Sequence, residues 1–132
     1  MKPIDEFWSL CEKAYEIDLT TDNSLDYEKH MIEIIELVQS HPELRTEWID
    51  CFKKAINDFE ADIPLELIPF CMRSLRFNEI RDHVVALRQE HQNDARQIRD
   101  GDYWNNIMHA FDDSVWEDAD FWPYYHHELQ KK

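Results

Sequence analysis

One glycine in 132 residues constrains the fold more than any other feature of this chain. Sandwiches and barrels need glycine at tight turns, where the backbone enters left-handed conformations. Dinucleotide folds and P-loops need it where the backbone cradles phosphate. A single Gly101 serves none of these designs, which leaves helices. The chain is nonetheless no disordered acidic polymer, because 43% of its residues are hydrophobic and 13% aromatic. A chain of this length suits one domain, 1–132, with a sizeable core.

The apolar residues recur at helical spacing. Ile4, Phe7, Trp8, Cys11, Ala14 and Tyr15 form a first stripe, ending at the polar cluster Thr20-Thr21-Asp22-Asn23. Ser24 can cap a second helix along Tyr27, Met31, Ile34, Ile35 and Val38. Pro42 stops that helix and suits the first turn of a third, along Leu44, Trp48, Cys51, Phe52, Ala55, Ile56 and Phe59. Asp62-Ile63-Pro64 opens a fourth, with a kink or late start at Pro69. Asn78 is the expected cap of a fifth helix, along Ile80, Val84 and Leu87. The polar stretch 89–97 is an extension or a break, and Asp102 is the expected cap of a sixth helix along Trp104, Ile107, Met108 and Phe111. A short seventh helix fits 114–121. The fold class is therefore all-α, with six to seven amphipathic helices in antiparallel hairpins.

Two of those hairpins look alike. Glu43-Leu44-Arg45 and Glu79-Ile80-Arg81 lie 36 residues apart, and Asp26 and Asp62 share that offset. Residues 26–56 and 62–92 thus read as two copies of one unit. The second copy, from Leu67-Ile68-Pro69-Phe70 through Leu75-Arg76-Phe77-Asn78-Glu79-Ile80-Arg81 to Val84-Val85-Ala86-Leu87, resembles a HEAT repeat, with Phe77 where that family favours Asp. The resemblance implies a short α-solenoid; the alternative is an irregular helical bundle.

Asp and Glu number 29 against 14 Lys and Arg, a formal charge of -15. Such a surface does not suit nucleic acid. The excess sits at the ends: residues 1–28 hold eight acids and two lysines, and 100–132 hold eight acids and two lysines. The middle, 29–99, is nearly balanced at thirteen acids to ten bases, and six of the seven arginines lie between Arg73 and Arg99. Those arginines fit a surface ion-pair network with Glu79, Asp82, Glu90 and Asp94, or internal pairing with the acidic ends.

The segment 100–130 interleaves carboxylates with aromatics. Asp112, Asp113, Trp116, Glu117, Asp118, Asp120, Phe121 and Trp122 are the candidate partner-binding residues. Aromatic anchors combined with acceptors for arginine suit a basic protein surface. Trp104 and Phe111 instead fit the core stripe of the sixth helix.

No catalytic constellation stands out. Glu-x-x-His, H-E-x-x-H and G-x-S-x-G are all absent, so neither a catalytic residue, a metal ligand nor a cofactor is assigned. His109 with Asp112 or Asp113, and His126-His127-Glu128, are loose ligand sets that leave a divalent-metal-dependent enzyme as a third reading. Cys11, Cys51 and Cys71 sit at apolar helical positions and read as buried free thiols. The acidic start and the lack of a long apolar run point to a cytoplasmic protein with no membrane span.

Size, charge and helix content together resemble the acidic immunity proteins of bacterial toxin systems, of the contact-dependent inhibition or colicin-like type. That resemblance implies a protein-binding inhibitor whose partner is a basic, nuclease-like toxin domain. The alternative is a HEAT-like adaptor whose contacts run along Arg45, Arg81 and Arg88.

Overall fold

The computed structural model describes residues 2–20, 25–57 and 63–112. It is all-helical, with six α-helices and no strand among those residues. They are α1 (Pro3–Thr20), α2 (Leu25–Ser40), α3 (Arg45–Asn57), α4 (Leu67–Leu75), α5 (Asn78–Glu90) and α6 (Ala95–His109). The region of the expected seventh helix lies outside the described residues.

The helix boundaries follow local chemistry. Pro3 occupies the first position of α1, where no intrahelical N–H bond is lost. Pro42 opens a 3-10 turn, Pro42–Leu44, that leads into α3. The Trp48 indole N–H donates to the His41 carbonyl at 3.0 Å and pins this connection. Pro69 falls in the first turn of α4, so the helix starts late at Leu67 rather than kinking. Arg76 ends α4 in the left-handed region, at φ 50°, with its N–H bonded to the Met72 carbonyl. In a chain with one glycine, an arginine takes the position that glycine usually fills.

Two expected caps are corrected. Phe77, in extended geometry, is the residue that precedes α5, and Asn78 is already helical with no side-chain cap. Asp102 lies inside α6, whose cap is Asp94. The Asp94 carboxylate accepts from the N–H groups of Arg96 (2.9 Å) and Gln97 (3.2 Å). The polar stretch therefore breaks at 91–94 and resumes as helix, and Gly101 is an interior helical residue rather than a boundary. Apolar periodicity hides this start, because the first turn of α6 is held by hydrogen bonds and not by burial.

Each helix packs against the helix two positions later: α1 on α3, α2 on α4, α3 on α5 and α4 on α6. The neighbours α1 and α2, and α5 and α6, also pack together. The helices of the two similar hairpins are thus stacked like on like. One continuous core results, and Phe7, Met31, Trp48, Phe52, Phe70, Met72 and Trp104 are fully buried in it. Burying each such side chain contributes about 1.5–3 kcal/mol. An edge-to-face contact of Phe7 with Phe52, at 5.2 Å between ring centres, joins α1 to α3.

Candidate functional site

The helical period that buries Phe7, Leu10, Cys11 and Ala14 turns the opposite side of α1 outward. Asp5, Glu12 and Glu16 lie seven and then four residues apart, so they share one outward stripe. Leu19, 67% exposed, continues it by a further turn. Glu6 stands on the adjoining flank. Among the described residues none of Asp5, Glu6, Glu12 and Glu16 has an ion-pair partner. Asp5, Glu12 and Glu16 make one face of this helix negative, while the exposed Lys13 stands on the flank that carries Glu6. The signal for this stripe in the sequence is the spacing of Asp5, Glu12 and Glu16.

Of the eight residues singled out in the C-terminal segment, only Asp112 is described. Asp113, Trp116, Glu117, Asp118, Asp120, Phe121 and Trp122 lie outside the described residues. Asp112 is exposed just beyond α6, and its backbone carbonyl accepts a hydrogen bond from Arg73 of α4. Arg73 also reaches the Ala110 carbonyl at 3.4 Å. A guanidinium at a helix C-terminus meets carbonyls that have no helical partner and offsets the negative end of the dipole. Arg73 therefore anchors the start of the acidic segment through its backbone, not through a carboxylate. The first part of the segment 100–130 is core: Tyr103, Trp104 and Ile107 are buried on α6, and Phe111 packs against the core.

The arginines between 73 and 99 hold the fold together by diverse contacts. Arg81 lies 3.8 Å from Asp82, the sole member of the expected surface network that forms an arginine pair as anticipated. Glu79 is held instead by Arg45, and Asp94 by His91 at 2.9 Å. Arg96 and Arg99 both bond Asp100, which is 1% exposed. Burial alone would push the Asp100 carboxyl up, but the two guanidinium groups outweigh it and hold the group below its ordinary value. Arg96 also donates to the Asn57 carbonyl at the end of α3 and lies over the Trp104 ring. It thereby ties α3 to α6.

Arg45 lines a cavity of about 210 Å³ between the two hairpins, together with Val38, Pro42, Trp48, Leu75 and Phe77. Arg45 stacks over Phe77, 5.1 Å from the ring centre. Its bonds, together with the α5 backbone at Glu79, hold the Glu79 carboxyl at about 2. Arg45 is thus paired with Glu79 while remaining half exposed.

Cys11, Cys51 and Cys71 are free and buried, as the sequence implied. Burial raises the Cys11 thiol to about 12, with the nearby Cys51 adding to the effect. Burial and then the Asp50 charge raise Cys51 to about 11, and burial holds Cys71 well above its ordinary value. Thiols in this state are poor nucleophiles. Among the described residues no group of three or more His, Cys, Asp and Glu side chains comes together as metal ligands. His109 and Asp112 are both exposed at the end of α6. His126, His127 and Glu128 lie outside the described residues. Among the described residues no helix is long and apolar enough to cross a membrane.

No protein-family model matches the chain, and no curated protein or solved structure shows a significant match.

Proposed function

We propose that this protein is an acidic protein-binding inhibitor, an immunity protein that neutralises a basic, nuclease-like toxin domain in the cytoplasm. The observation that carries the reading is the stripe of Asp5, Glu12 and Glu16 along the outer face of α1, without an ion-pair partner among the described residues. In a chain of charge -15, such a face attracts a cationic protein over several ångströms and orders the encounter. The acids and aromatics from Asp112 to Trp122 would supply a second contact, in which aromatic side chains hold the complex after encounter.

The test is association with a basic nuclease domain encoded beside this chain. Binding should be stoichiometric, abolish the nuclease activity and slow steeply with added salt. Reversal of Asp5, Glu12 and Glu16 to Lys should slow association at low salt by about 10-fold or more, with the helical circular dichroism unchanged. Reversal of Asp113, Glu117, Asp118 and Asp120 tests the second contact in the same way. Association indifferent to both reversals would overturn the reading.

A second reading, a HEAT-like adaptor, is favoured by the stacking of α2 on α4 and α3 on α5. Several neutral partners recovered by cross-linking, in place of one basic protein, would support it.

A further inference from the structure

A cavity of about 290 Å³ lies between α5 and α6, lined by Val85, Arg88, Gln89, Gln92, Gln97 and Met108. Among the described residues no acid lines it, although acids outnumber bases two to one in this chain. Arg88 is half-buried, and among the described residues the one acceptor it meets is the Met108 thioether, 3.0 Å from Nη1. Sulfur is a weak acceptor, and a guanidinium carries five N–H donors in a rigid plane. Among the described residues every other arginine reaches a carboxylate or a backbone carbonyl, whereas Arg88 reaches neither. A partly desolvated cation without a counter-ion is costly to the fold and repays an anion that reaches it.

Gln97 adds to this. Its Oε1 accepts the backbone N–H of Asn93 at 2.8 Å, which steadies Asn93 in the left-handed region at φ 68°. With one lone pair of its oxygen engaged, Gln97 still offers both N–H donors of its NH2 group. Donors therefore outweigh acceptors in the cavity. Val85 and Met108 give it an apolar wall, and its volume lies near the lower end of the roughly 300–1,000 Å³ range of small-ligand clefts.

We propose that the α5–α6 cavity binds a short aliphatic carboxylate, with Arg88 as the anchor that takes it through paired N–H bonds. The carboxylate would replace the thioether as the acceptor for the guanidinium edge, a geometry the fork matches. The methylenes would lie on Val85 and Met108, and a second polar end would meet the carboxamides of Gln89 and Gln92. This site is separate from the acidic face of α1 and stands or falls independently of it.

Calorimetric titration of the full chain with glutarate tests this, with glutaramide as the uncharged isostere and sodium chloride at matched ionic strength. The expected result is saturable glutarate binding, weakened about tenfold or more by removal of the charge in glutaramide and by Arg88→Gln. Arg88→Lys, which keeps the charge and loses the fork, should bind less tightly than the native chain but more tightly than Arg88→Gln. It also serves if Arg88→Gln fails to fold. Equal heats for glutarate and chloride, or no saturation up to about 50 mM glutarate, would overturn the proposal. So would binding that appears only after Asp113, Glu117, Asp118 and Asp120 are neutralised to Asn or Gln, since the chain's own carboxylates would then be the occupant.

Discussion

Arg45 of α3 and Glu79 of α5 form a two-pronged salt bridge across the two similar hairpins, with Nη2 2.9 Å from Oε1. The pairing is crosswise. The base of the first Glu-Leu-Arg motif meets the acid of the second Glu-Ile-Arg motif, so a 36-residue offset in sequence becomes a contact in space.

This bond makes stability sensitive to acid. The Glu79 carboxyl is ordinarily near 4.5 and stands at about 2 in the fold. A carboxyl held low in the folded state contributes stability that is present above its unfolded value and is lost as pH falls through the folded one. Glu79→Gln should therefore flatten the loss of urea stability between pH 4.5 and 2. Above pH 6 it should lower stability by an amount that does not change with pH. An unaltered acid limb would show that the pair does not couple to folding.

Asp100 predicts a larger effect. Its carboxylate is 1% exposed between Arg96 and Arg99, and Arg99 is 56% exposed. Asp100→Ala should cost about 2–3 kcal/mol in denaturant unfolding, less than a fully buried pair because water screens Arg99. The same variant should loosen the join between α3 and α6, since Arg96 also holds the Asn57 carbonyl. Faster amide exchange at the last turn of α3 is the expected sign.

Gly101 sits in the middle of α6, and a Cβ added there meets only Gln97 Cγ at 3.8 Å, an ordinary contact. Gly101→Ala should stabilise the protein by about 0.5–1 kcal/mol, through the lower backbone entropy of the unfolded chain and better helix propensity. A fall in melting temperature would contradict an unstrained interior helical position.

The thiols should resist modification. With Cys11 raised to about 12 and Cys51 to about 11, iodoacetamide at pH 8 should label none of the three in the native chain and all three in urea. Labelling of one site in the folded protein would mark a local opening there. Cys71, the most deeply buried, should be the last to react.

Much of the helical pattern was legible because burial imposes it. Every interior turn of α1, α2 and α3 carries apolar residues at the period the core demands, so Phe7, Met31 and Trp48 announce their faces. Pro42 and Pro69 also declare themselves, because a missing N–H is tolerated only where a helix begins. The start of α6 was not legible. Residues 95–99 bury almost nothing, and their helix rests on Asp94 capping and on Arg96 and Arg99 converging on Asp100. A polar sequence does not show which of its charges will meet. The candidate site divides in the same way. The spacing of Asp5, Glu12 and Glu16 is written in the chain, but that no base among the described residues pairs with them follows from how the helices pack.

By itself, then, the sequence determined an all-helical chain, the faces its helices bury and the sign of its field, since these depend on residue type and period alone. The tertiary structure decided which hairpin stacks on which, that Arg45 pairs with Glu79, and that Arg88 alone among the described arginines is left facing a cavity without an oxygen acceptor. The physical reason is range. Periodicity is a local consequence of 3.6 residues per turn, whereas the partner of a charged side chain is set by contacts between residues tens of positions apart.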